Sequence, residues 1–281
     1  RIPRQPALPD RGLQLIAMQQ ATDFLDETHA LGELIAPLSD ADYLQETAFK
    51  HWTIDMVLRH LHFWNMAALL SVKDEAAFQA LVSGLTDALR KGALPDHERA
   101  HFNGLSGRAL REDWLAMARE TADVFAQTDP SQRLKWVGPS MSARSSITAR
   151  LMETWAHGQE VYDQLGVVRE NADRIRNIVV LGVNTYGWTF ANRKLPIPEP
   201  MPHLILTAPS GEIWTYGDAQ ADERIEGPAE DFCQIVTQVR NIADTDLSVS
   251  GANASAWMEH AQCFAGPPQS PPAPGTRCIR S

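Results

Sequence analysis

Glu153 and His157 stand four residues apart in Thr148-Ala-Arg-Leu-Met-Glu-Thr-Trp-Ala-His-Gly-Gln-Glu-Val-Tyr-Asp163, a stretch with a strong helical pattern. On a helix this spacing puts both side chains on one face, with Cβ atoms roughly 5–6 Å apart. A carboxylate oxygen and an imidazole nitrogen so placed can share one divalent metal ion. Two ligands do not complete a site, and the best third candidate is His60, far upstream in the amphipathic segment Trp52–Trp64. His62 is about 200° further around a helix, so it and His60 cannot face the same ion. His97 and His101 form a rival pair, because His-x-x-x-His is also a metal-binding spacing. Pro95, Gly104 and Gly107 surround them and apolar periodicity is weak, which points to an exposed loop or short helix. Each group also has a reading that needs no metal. Glu153 and His157 could form a surface or structural pair, and His60, among Met56, Val57, Leu61, Phe63, Trp64 and Ala67, a buried, hydrogen-bonded histidine.

Helices must position these residues. Apolar residues recur at helical spacing from Leu13 to about Leu38, through Leu15, Met18, Ala21, Phe24, Leu31 and Ile35. The second helix opens after Thr53, a suitable N-cap, and carries His60. A further helix is expected from Asp74, and another from Asp113 to about Gln127, closed by Pro130. Gly138-Pro139 breaks the pattern. The helix bearing Glu153 and His157 should therefore start near Ser140 or Ser142 and stop at Gly166. A fifth helix is expected from Asn171 to about Arg193. Pro196, Pro198, Pro200 and Pro202 then form a linker, after which His203–Thr207 and Glu212–Tyr216 read as a hairpin. A strand at Arg224–Glu226, a helix over Pro228–Arg240, a strand near Leu247–Ser250 and a helix over Asn253–Phe264 complete a small mixed α/β unit. The expected class is α+β, with a helical bundle over 13–195, the α/β unit over 196–268, and tails at 1–12 and 269–281. The proline-rich tail Gly266–Gly275 is read as disordered or draped.

With 281 residues, 44% hydrophobic and 21% charged, the chain can bury a proper core. A formal charge of −10 and the lack of any Lys/Arg run argue against duplex nucleic acid as a partner. Small molecules are the expected partners. No apolar stretch reaches the roughly 18–20 residues that span a bilayer, and Arg1-Ile-Pro-Arg-Gln-Pro6 has no hydrophobic signal core. The expectation is a soluble, cytoplasmic protein without a membrane partner, its oligomeric state left open, a homodimer included. Cys233, Cys263 and Cys278 form no CxxC pair, so buried or incidental thiols are expected rather than a disulfide framework.

Trp52-Thr-Ile-Asp…His60-Leu, followed by Gly138-Pro-Ser-Met-Ser-Ala…Ala149-Arg-Leu-Met-Glu153-Thr-Trp-Ala-His157-Gly-Gln-Glu-Val161, resembles the metal-binding family related to mycothiol-dependent maleylpyruvate isomerase, within the DinB-like superfamily. Thr207–Trp214, Gly227–Cys233, Val236–Arg240 and Ala261–Pro268 extend the resemblance, which covers roughly residues 15–268. It implies a DinB-like four-helix bundle followed by a smaller α/β domain. It also implies a divalent metal, commonly zinc, held by His60, Glu153 and His157. Three N/O ligands leave one coordination position open, as in catalytic zinc sites. His51 stands where relatives often carry Gly, and Glu160 where they carry Asp. Glu160, three residues after His157, could orient an imidazole N–H or be a solvated surface carboxylate.

The resemblance implies an enzyme acting on a small carbonyl-containing or unsaturated acid, isomerisation ahead of other reactions. In an isomerase or thiol-dependent transferase, a low-molecular-weight thiol cosubstrate adds to an electron-poor double bond, the resulting single bond rotates, and elimination returns the thiol. Arg144 or Arg150 could hold a substrate carboxylate, or be structural. The alternatives are a hydrolase, dehydratase or cyclase using a metal-bound water, and a non-catalytic small-molecule binding protein.

Overall fold

The computed structural model describes residues 18–279. The expected start of the first helix at Leu13, the 1–12 tail and the last two residues lie outside that range. Four long helices form the N-terminal part: α1 (Gln19–Leu34), α2 (Ile54–Lys73), α6 (Gly107–Ala126) and α7 (Ala143–Gln164). α1 packs on α6 and α7, and so does α2, so that the four close around a shared interior. Between α2 and α6 lie three short helices, α3 (Glu75–Val82), α4 (Leu85–Arg90) and α5 (Leu94–His101). Helix α6 begins six residues earlier than its apolar pattern suggests, with Gly107 donating its N–H to Asp55 Oδ1 at 2.8 Å.

The expected caps are present. Thr53 Oγ1 accepts from Met56 N at 3.2 Å to start α2, and Ser142 Oγ accepts from Ser145 N at 3.1 Å to start α7. A two-stranded hairpin, β1 (Arg133–Leu134) and β2 (Met141–Ser142), feeds the chain into α7. That short pairing carries no periodicity visible in the sequence. Gly166, at φ 68°, ends α7 in the left-handed region that glycine adopts without strain.

The expected fifth helix is two helices, α8 (Arg176–Asn184) and α9 (Tyr186–Ala191), preceded by a 3₁₀ turn. Thr185 interrupts them, its hydroxyl bonding back to Leu181 O at 2.8 Å and Gly182 O at 3.0 Å. Gly182 also allows α8 to approach the following layer: a Cβ there would meet the Phe232 ring at 2.9 Å.

The C-terminal part is a four-stranded sheet of order β4-β3-β5-β6, with β3 (His203–Thr207), β4 (Ile213–Tyr216), β5 (Arg224–Pro228) and β6 (Ser248–Ser250). β3 and β4 form the expected hairpin; β5 runs parallel to β3. Helices α10 (Ala229–Val236) and α11 (Ala252–His260) are shorter than expected. α10 stops because Gln238 turns into the left-handed region at φ 58°, and its side chain bonds Ala261 O. The class is α+β.

One hydrophobic cluster runs through both parts, from Phe24 and Trp155 through Ile178 to Trp214, Phe232 and Trp257. A second, with Leu31, Val57, Leu61, Trp114 and Val161, lies beneath the helix that carries His60. The tail after α11 is draped over the molecule and tied down. Gln269 bonds Gln238 and Arg193, Asn241 bonds Pro272 O at 2.8 Å, and Gly275 N bonds Asp244.

Candidate metal centre

Helix α7 is buried on nearly all sides, which is why its amphipathic signal is weak and its polar residues face protein. Arg150, Glu153, His157 and Glu160 follow one another at spacings of three, four and three residues, a single stripe along the helix. The fold sets α2 beside this stripe. One ligand atom from each of His60, Glu153 and His157 lies within 4.8 Å of the other two, and no other such group of three occurs among the described residues. Two imidazoles and a carboxylate make a donor set suited to zinc and similar divalent ions, and the three residues are only partly buried, so the site has a route to solvent. The residues present fit a metal.

Aromatic rings hold the two imidazoles. Trp52 stacks on His157 at 5.8 Å and meets His60 edge-on at 5.2 Å; Phe49 meets His157 at 5.0 Å. Phe49 and Trp52 sit on a tight loop before α2, closed by Thr47 N donating to Trp52 O at 2.8 Å. The loop turns at Lys50 and His51, with φ 50° and 57°. That left-handed backbone is what glycine adopts most readily.

The electrostatics favour an ionised Glu153 beside a neutral His157. Burial opposes ionisation of Glu153, but the His157 hydrogen bond and the charge of Arg150 outweigh it, holding the carboxyl at about 2. Burial lowers the pKa of His157 more than the Glu153 carboxylate, 3.4 Å from its Nε2, raises it.

The other expected site residues fall differently. Arg144 is exposed in the first turn of α7, about two and a half turns before Glu153. Arg150 is 5% exposed, its guanidinium 5.8 Å from the Trp136 ring, and its Nε and Nη1 have no hydrogen-bond partner among the described residues. Glu160 is 1% exposed and binds no imidazole: its Oε1 accepts from Arg277 Nη1 at 2.8 Å. His97 and His101 turn toward the Phe63 ring, at 5.8 and 5.5 Å, rather than toward the trio.

Phe49, Glu98 and Arg277, all near the trio, escaped the sequence reading. Glu98, between the rival histidines, is 1% exposed and accepts from His60 Nδ1 at 2.8 Å. Arg277, from the C-terminal tail, lies 5.3 Å from the Phe49 ring, which in turn touches His157. A buried carboxylate at Glu98 is signalled by no local spacing, and Arg277 lies in a stretch without periodicity.

The mycothiol maleylpyruvate isomerase N-terminal domain matches residues 24–162, which include all three candidate ligands. Two curated proteins of Mycobacterium tuberculosis, Uncharacterized protein MT0041 and Uncharacterized protein Rv0036c, are each 37% identical over 247 residues, covering 88% of this chain and 95% of theirs. The crystal structure of the mycothiol-dependent maleylpyruvate isomerase aligns with a TM-score of 0.48 at 15% identity, over 77% of this chain and 87% of that one. The chain belongs to the family of proteins that carry the mycothiol maleylpyruvate isomerase N-terminal domain. No described helix is long and apolar enough to cross a membrane.

Proposed function

We propose that the protein is a metal-dependent enzyme that isomerises a small, unsaturated, carbonyl-containing acid with a low-molecular-weight thiol as cosubstrate. The observation that carries this reading is the convergence of His60, Glu153 and His157 from two helices onto one point. These residues would hold a divalent ion, zinc by its donor preference, which supplies Lewis-acid stabilisation of negative charge on a substrate oxygen. The thiolate forms a C–S bond to the double bond, and the π electrons move onto the conjugated carbonyl oxygen. Rotation about the new single bond precedes return of the electrons, which restores the double bond and expels the thiolate. Burial raises the pKa of the Cys233 and Cys263 thiols, which makes both poor sources of an attacking thiolate and favours a low-molecular-weight thiol in that role. Arg150 is suited to holding a substrate carboxylate: a buried guanidinium with unpaired N–H groups gains most from a bidentate anion. Trp52 and Phe49 would keep the imidazoles oriented and exclude water from one side.

The test pairs two readouts on one sample: thermal melting by circular dichroism, and turnover of unsaturated oxo-acids with and without thiols, before and after chelation and zinc return. Chelation should abolish turnover and leave most of the fold, because apolar helix packing rather than the ion defines this core. Turnover without metal, or outright unfolding on chelation, would sink the catalytic reading. Turnover that ignores the thiol would redirect it to hydrolysis or dehydration.

A further inference from the structure

Helix α5 has a single buried residue, and it is the carboxylate Glu98. A buried carboxylate is unfavourable without a partner. Here the partner is His60 Nδ1, at 2.8 Å, on a helix 38 residues away in sequence. An ionised carboxylate only accepts, so Nδ1 carries the proton and the lone pair of the neutral ring is left on Nε2. That is the tautomer a ligating histidine needs, and a carboxylate behind it fixes the orientation of the ring. The same hydrogen bond helps dock α5, beside the edge contacts of His97 and His101 with the Phe63 ring of α2. Of its other residues, Arg99, Ala100 and His101 are exposed, and Leu94 packs only in part on the Phe63 cluster.

We infer that Glu98 is a positioning residue for the metal centre, and that through it metal loading orders helix α5. This rests on the metal-centre reading above. When an ion fixes the His60 ring, the ring becomes a rigid donor to Glu98, and α5 is held against α2 by a contact that is otherwise free to rotate away. The reverse also holds, because coupling between two sites is reciprocal: loss of Glu98 must weaken metal binding.

The experiment starts from metal-free protein and measures zinc affinity by competition with a chromophoric chelator, with amide hydrogen exchange over 94–101 followed with and without zinc. Wild-type protein should bind one equivalent, and zinc should slow exchange across α5. Glu98→Ala should bind one equivalent roughly 10- to 100-fold more weakly, with exchange in α5 no longer responding to zinc. Glu98→Gln keeps an acceptor oxygen and should recover part of the affinity. His97→Ala, on the same helix but away from His60, should bind zinc as wild type does. Equal affinity in wild type and Glu98→Ala, or an equal loss in His97→Ala, would overturn the inference and leave the three-ligand site standing. Failure of the wild type to bind zinc would overturn the site itself.

Discussion

His157 has Trp52 stacked on its ring and Glu153 beside its Nε2. Replacing it with Ala removes one of three donors and should reduce bound metal in purified protein to well below one equivalent. Full metal content in a variant lacking His60, Glu153 and His157, with metal lost instead from a His97→Ala, His101→Ala variant, would move the site to α5. Glu160 offers a test by pH. Burial pushes its pKa up to about 7 from 4.5, against the lowering charges of Arg277 and Arg240 and with the help of Asp163. The folded state therefore holds this proton more tightly than the unfolded state. Its stabilising contribution is complete below about pH 4.5 and is lost as pH rises to about 7. The difference in melting temperature between wild type and Glu160→Gln should change across that window and stay flat above it. A difference that varied only above pH 7 would contradict the assignment. The spacing of Glu153 and His157 was legible in the sequence because both lie on one helix. Glu98 was not, because only the packing of α5 on α2 brings it to His60.

At the scale of elements, α7 decides whether the site exists, and its start is set by one hydroxyl. Ser142 Oγ satisfies the N–H of Ser145. Ser142→Ala should cost about 1 kcal/mol in a denaturant titration and leave metal stoichiometry unchanged, since Glu153 lies three turns inside the helix. A loss of metal in that variant would mean that the β1–β2 hairpin positions the ligands more directly than the helix does. The caps of α2 and α7 and the stop at Gly166 follow from residue types whose preferences act within one turn. The break at Thr185 and the early end of α10 do not. The first follows from a back-bonding hydroxyl, and the second from a Gln238 side chain reaching Ala261 O.

At the scale of the whole molecule, one apolar cluster runs through both the helical part and the part built on the four-stranded sheet. Phe232 is fully buried, meets Trp257 edge-on at 5.5 Å and closes over Gly182 of α8. Phe232→Ala should cost about 3–5 kcal/mol, and a shared core predicts that the protein still unfolds in a single transition seen by both circular dichroism and tryptophan fluorescence. Two separated transitions, with only the later residues destabilised, would show that the parts fold independently. The tail adds a tie between the parts, since Arg277 bonds Glu160 on α7 and Gln238 O beyond α10.

The sequence by itself determined the α+β class, the starts of α2, α3, α7, α10 and α11, the hairpin and the helical face shared by Glu153 and His157. Each of these rests on interactions among residues within a few positions of one another, which periodicity and capping record directly. Only the tertiary structure decided that His60 joins them while His97 and His101 turn to Phe63, that Arg150 is buried without a partner, that Glu98 stands behind His60, and that Arg277 returns to Glu160. These depend on how helices pack across long stretches of chain. That packing is set by the combined shape of many apolar side chains, and no single spacing in the sequence encodes it.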